Sequence, residues 1–372
     1  LSKKQWIVGL VVLAALIGSA LWGRHRIHFD FGHFWSQFAS ADWRKMAIAL
    51  GCIYAGYAIR SARWALLLRH NQRVPLFSLT GTQVIGFTGI ALIGRVADLV
   101  RPYLVARKTG LALSSQIAVY IVERLFDMGS MALIFSIALV RVPEAELLKA
   151  IDRSATLSFV FHHESRWFAL FIFRYSGLIL TLFGALFLAG VRWSGEMIAR
   201  FFEHVLGLAS QRVGHAVGAK VRAFRTGLDT MRSFADFAAT ASLSLLMWGL
   251  ITTAYLEIMH AFVASPPLAT ISFSKCVLLM VVSGGASVLQ LPVLGWFSQI
   301  GIVAAAIAGF FGVPLEPATA CAASLLLITF LGIVPVGLIW AQIENVSLRK
   351  IAAQSEHAEE VTENPVPGSV VN

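Results

Sequence analysis

The chain has 372 residues, of which 57% are hydrophobic and 13% charged, with a formal net charge of +10. Soluble domains carry about 25% charged residues, and several apolar runs here reach the ~20 residues that cross a bilayer core, so a soluble enzyme is excluded and a polytopic membrane protein is implied. Lipid cannot satisfy backbone polar groups, and the runs are continuous rather than alternating, which selects helices over a β-barrel.

In chain order the apolar runs are 6–22, 46–68, 79–94, 114–140, 168–190, 237–262, 277–291, 300–311 and 318–341. The first follows Lys3 and Lys4 and ends near a faint cleavage-like GSALW, and is expected to persist as a spanning helix. Six runs are long enough to span; 79–94, 277–291 and 300–311 are short, as re-entrant or buried segments are. The expected fold is an all-α bundle of about six spanning helices plus two re-entrant segments, 79–94 from inside and a 277–311 hairpin from outside. With the N-terminus inside, the inner loops carry about twice as much Lys and Arg as the outer ones. Interrupted segments of opposite sense in two halves are the arrangement of inverted-repeat transporters.

The organisation read from these runs is a first membrane half (1–190), a basic linker (191–235), a second membrane half (236–341) and a polar, disordered tail (342–372). In the linker, Met197, Ile198, Phe201, Phe202, Val205 and Leu206 recur at helical spacing opposite Arg200 and Glu203. That pattern fits an interfacial amphipathic helix or a linker helix packed on the bundle. The basic balance is placed at the edges of apolar runs, so anionic lipid headgroups are the expected partner and nucleic acid is not. The three cysteines lie in or beside apolar runs without pairing or metal spacing. The histidines of 24–33 and His162–His163–Glu164 are read as interfacial; no metal and no cofactor is expected.

Two charged stretches stand out. In GRVADLVRPY, Arg95, Asp98 and Arg101 step by three, so neighbours share a helix side, and Gly94 and Pro102 break the run. In the next run Glu123, Arg124 and Asp127 occur in what reads as a full span. A lone charge at a helix centre costs several kcal/mol, so these six must face protein or a wet cavity. Their signs sum to zero, which suits a knot locking the elbow, a headgroup site, or both. In the second half SGGASVLQLPVLGWFSQIG supplies glycines, a proline and the uncharged polar edges Gln290 and Gln299. It reads either as a broken helix at a transport site or as close packing through small residues. Arg60 and Arg63, near the inner end of their run, are expected to snorkel or else to bind lipid phosphate, and Glu257 and Arg174 stand as single charges able to pair. No phosphate loop, nucleophile elbow or HExxH is present.

GRVADLVRPYLVARKTGLALSSQIAVYIVERLFDMG resembles the signature of the lysylphosphatidylglycerol synthetase membrane-region family, also called flippase-like domain proteins. The resemblance is carried by Gly94, Arg95, Asp98, Arg101, Pro102, Tyr103, Ala106, Arg107, Lys108, Glu123, Arg124 and Asp127. It implies a bacterial inner-membrane protein that translocates a polar or phosphate-bearing lipid; the charge bias of the loops places both termini in the cytoplasm. It is not an enzyme on this reading, because the transferase domain fused to the best-known members has no counterpart in these residues. Under the resemblance the candidate substrate-binding residues are Arg95, Asp98, Arg101, Glu123, Arg124, Asp127, Gln290 and Gln299. Gln299 stands where the family often has Glu, and the lost negative charge speaks against a cationic headgroup or proton coupling there. The rival readings are a membrane-embedded enzyme using Glu123 or Asp127 on a lipid-linked substrate, and a scaffold for a membrane enzyme partner.

Overall fold

The structure is a computed structural model. It describes residues 29–346 except 71, 145–165, 287–293 and most of 208–232. The expected first span at 6–22, His162–Glu164, Gln290 and the tail past 346 lie outside the described residues, as does the side chain of Arg95. Among the described residues there is no strand.

The helices are α1 (Phe31–Ala39), α2 (Trp43–Leu68), α3 (Leu76–Ile93), α4 (Val100–Thr109), α5 (Leu113–Val140), α6 (Arg166–Gly207), α7 (Phe234–His260), α8 (Pro266–Ala269), α9 (Phe273–Ala286), α10 (Leu294–Phe311), α11 (Leu315–Thr329) and α12 (Val334–Ile343). Length and composition alone qualify three described helical stretches to cross a membrane: Leu76–Ile93, Phe234–His260 and Leu315–Ile343. With 26 and 28 residues, α2 and α5 are longer than the first of these, and they carry the buried Arg60, Arg63, Glu123 and Asp127.

The 79–94 run ends as expected at Gly94, whose φ of 90° is open to glycine and strained for other residues. A 3-10 turn (Arg95–Leu99) follows, and α4 then returns toward the start of α3. Lys108 Nζ donates to the Ser78 carbonyl at 3.1 Å, so the two ends of this hairpin meet. α3 and α4 thus form a hairpin, and α3, expected to re-enter, is long and apolar enough to cross a membrane. A second interruption lies at Phe330, where α11 gives way to a 3-10 turn (Leu331–Ile333) and then to α12. Tyr54 of α2 donates to the Gly332 carbonyl there at 2.8 Å. α9 and α10 pack on each other as the predicted 277–311 hairpin does.

Helices of the two sequence halves pack directly on each other: α7 on α2, α12 on α3, α9 on α5. The buried face of α2 is a helical stripe through Ile53, Tyr57, Arg60 and Trp64. Toward its N-terminal end the stripe joins an apolar core with Ile258, Phe262, Cys321 and Leu325. Toward its C-terminal end it joins a second core with Leu79, Val119, Val122 and Phe126. Arg60, Ser61 and Arg63 fall between the two.

α6 packs on α5 through small residues: a Cβ added at Gly177 would run into the Ala132 carbonyl and Ser136. Arg174 reaches the Val140 carbonyl at 2.5 Å and that of Val142 at 3.3 Å, a cation on the C-terminal end of α5. Of the partners open to Arg174 in the sequence, the structure gives it these exposed carbonyls of a helix end. α6 also runs on through 191–207 with a kink at Ser194, so the amphipathic stretch is an extension of the preceding helix. Met197, Phe201 and Val205 are exposed along it. Arg222 bridges Glu203 at 2.7 Å and Glu196 at 3.1 Å, and its hydrogen bonds hold both carboxyls below their ordinary range.

Candidate functional site

The site is built from α2, the α3–α4 hairpin, α5 and α7. α5 supplies Glu123 and Asp127 one turn apart, both buried. Arg63 of α2, with no exposed surface, spans them: Nη2 donates to Glu123 Oε1 at 2.5 Å and Nη1 to Asp127 Oδ1 at 2.6 Å. Its Nη1 also donates to Ser244 Oγ of α7 at 2.6 Å. Arg101 of α4, equally buried, donates from Nη2 to Glu123 Oε2 at 2.6 Å and from Nε to Gln83 Oε1 of α3 at 2.7 Å. Its guanidinium carbon lies 4.6 Å from the ring centre of Phe87 and 5.2 Å from that of Trp64. A planar cation between aromatic faces keeps part of the stabilisation that water would give it. Gly86 makes room for this arginine, since a Cβ there would overlap Arg101 Cγ.

The other two guanidinium groups are held less closely. Arg60 Nη1 stands 3.5 Å from Asp127 Oδ2 and 3.8 Å from Glu123 Oε1. Arg124 Nη2 stands 3.3 Å from Asp127 Oδ2 and 3.7 Å from Glu123 Oε1. Neither makes a hydrogen bond to these acids. Arg60 lies 4.9 Å from the Phe87 ring centre and Arg124 lies 5.2 Å from that of Tyr120.

The structure thus brings together Arg101, Glu123, Arg124 and Asp127 of the expected set. Asp98 sits half-buried in the 3-10 turn, within electrostatic reach of Arg124. Gln299 is buried on α10, which packs chiefly on α9 and α11 rather than on the charge-bearing helices.

The expectation that Arg60 and Arg63 snorkel is corrected. Helical side chains tilt toward the helix N-terminus, so arginines near the C-terminal end of α2 aim away from the closer end and into the bundle. The expected neutrality is corrected with it. Four guanidinium groups meet two carboxylates, and counting Asp98 as well leaves the cations in excess. The signal was available in the sequence: Arg60 follows Tyr57 by three residues and Ile53 by seven, which places it on the buried stripe.

These features define a helical membrane protein with an internal, charge-bearing polar site between a hairpin and three long helices. Residues 6–337 match the family model described as the lysylphosphatidylglycerol synthase TM region, and the chain belongs to that family. No curated protein and no solved structure gives a significant match. Family and apolar helices together make it a membrane protein related to lipid handling.

Proposed function

We propose that this chain is a flippase-type lipid transporter of the bacterial inner membrane, both termini cytoplasmic, which moves a phosphate-bearing headgroup between leaflets. The observation that carries the reading is the cluster of four arginines, three buried and Arg124 partly exposed, set among apolar helices with only two hydrogen-bonded carboxylates. Burying such charge costs several kcal/mol per ion unless it is matched, and a phosphate supplies the missing negative charge. The acyl chains stay in the bilayer while the headgroup passes the polar site. Glu123 is committed to two arginines and Asp127 to Arg63. Glu123 is tied through both oxygens and Asp127 through Oδ1, which favours a holding role over acid–base work and supports transport rather than catalysis. The α3–α4 hairpin and the break at Phe330 supply the interrupted helices that such transport uses.

The test is reconstitution. Purified chain in proteoliposomes of host lipids should accelerate exchange of headgroup-labelled phospholipid between leaflets over protein-free vesicles. Vesicles that exchange no host lipid faster than the protein-free control would refute the transport reading.

A further inference from the structure

The unpaired atoms of the cluster are lopsided. Arg60 Nη1, Arg63 Nε, Gln83 Nε2, Arg101 Nη1 and both Nε and Nη2 of Arg124 are buried donors without a hydrogen-bond partner, whereas Asp127 Oδ2 is the one such acceptor on the two carboxylates. Buried polar groups are nearly always satisfied, so this cluster is built for a group that accepts hydrogen bonds and does not donate them. A phosphate diester does this; an ammonium does the reverse, and would meet an excess of guanidinium.

The four arginines also differ in access. Arg63 and Arg101 are closed off and each donates two or more hydrogen bonds to fixed partners. The Arg124 side chain is 35% exposed. It lies on α5 between Ile121, three residues before, and Met128, four residues after, which share its face and are 43% and 62% exposed. That face pairs a cation with apolar surface above and below, as a phospholipid pairs phosphate with acyl chains. Arg60 stands behind it, sharing Asp127 Oδ2 as its neighbour.

We infer that Arg124, backed by Arg60, is the point at which the phosphate of a net-anionic phospholipid docks sideways from the bilayer, its chains along Ile121 and Met128, while Arg63 and Arg101 are positioning residues that hold the carboxylates. The inference rests on the reading of this cluster as a headgroup site, and it does not require that the headgroup then crosses.

The test is binding to the full chain in detergent, with fluorescent short-chain phosphatidylglycerol as probe and unlabelled phosphatidylglycerol, phosphatidylethanolamine or inorganic phosphate as competitors. Phosphatidylglycerol should displace the probe at concentrations roughly tenfold lower than phosphatidylethanolamine, and R124Q should weaken probe binding by roughly tenfold, the worth of one charge-assisted hydrogen bond. Inorganic phosphate should compete only at far higher concentration, because it lacks chains. Equal competition by phosphatidylethanolamine, or R124Q binding like the wild type, overturns the assignment. Inorganic phosphate competing as well as the lipid shows a site for a free ion and overturns it too. The headgroup ranking on the wild type needs no variant and decides the matter even if R124Q does not fold. Correct ranking without leaflet exchange in vesicles would sink transport alone; exchange without the ranking would sink this inference alone.

Discussion

Glu123→Gln is the sharpest perturbation of the cluster. The substitution keeps the shape of the side chain and removes its charge. It takes the counterion from Arg101 Nη2 at 2.6 Å and from Arg63 Nη2 at 2.5 Å, both on side chains with no exposed surface. Arg63 keeps Asp127 and Ser244; Arg101 keeps only the neutral Gln83, so most of the loss falls on Arg101. Breaking a buried pair by removing one partner costs about 3–5 kcal/mol. For a chain of this size that is a fall of about 4–6 °C in apparent melting temperature. Arg124→Gln is the built-in control: with its side chain 35% exposed and no hydrogen bond to either acid, it should cost less than about 1 kcal/mol. The double variant E123Q/R101Q should recover part of the loss, because the uncompensated cation leaves with its partner. The assay is thermal unfolding of purified protein in one detergent. An E123Q protein that melts with the wild type, or an R124Q protein that falls as far as E123Q, refutes the division between locked and free arginines.

Gly86→Val should displace Arg101 and cost about 1–3 kcal/mol in the same melting assay, whereas Gly51→Val, with open space around it, should change little. Ser233→Ala removes the capping box that starts α7, where Ser233 Oγ accepts from Asp236 N at 3.2 Å. It should cost about 1 kcal/mol and speed amide exchange in the first turn of α7, which Asp236, still paired with Arg69, keeps anchored. In a chain with its three native cysteines replaced by alanine, R73C and K108C should label from one side of the membrane and R141C from the other. K108C labelling from the side opposite to R73C instead means that the α3–α4 hairpin crosses the membrane.

The helices were legible in the sequence because length and apolar periodicity decide them: 46–68, 114–140 and 237–262 reappear as α2, α5 and α7 with ends shifted by a few residues. The break at Gly94 was legible because a glycine beside charges ends an apolar run. The break at Phe330 was not picked out, because LITFLGIVPV is apolar throughout, although Gly332 lies in the turn and Pro335 in the first turn of α12. At the site, Glu123 and Asp127 were found because charge inside a span is conspicuous. Arg60 and Arg63 were misread because closeness to a run's end suggests snorkelling, while the tilt of helical side chains toward the N-terminus reverses it. Gln83, Phe87 and Ser244 carry no signal of their own; only the fold brings α3 and α7 beside α5.

The two acids of α5 are held from two sides with unequal grip. Across the seam with α2, Arg63 makes charge-assisted bonds to both acids, and Ser244 of α7 steadies it. Across the seam with α4, Arg101 makes one, to Glu123, and its other partner Gln83 belongs to its own hairpin. Parting the second seam breaks fewer such bonds and lets the hairpin leave with Arg101 and Gln83 still joined. Counted by these bonds alone the hairpin is the door and α2, α5 and α7 the frame, although α4 packs directly on α5 whereas α2 is joined to α5 mainly through α7 and these side chains. Spin labels on α4 and α5 should separate when a headgroup enters while labels on α2 and α5 hold their distance; the opposite pattern would hang the door on the other side.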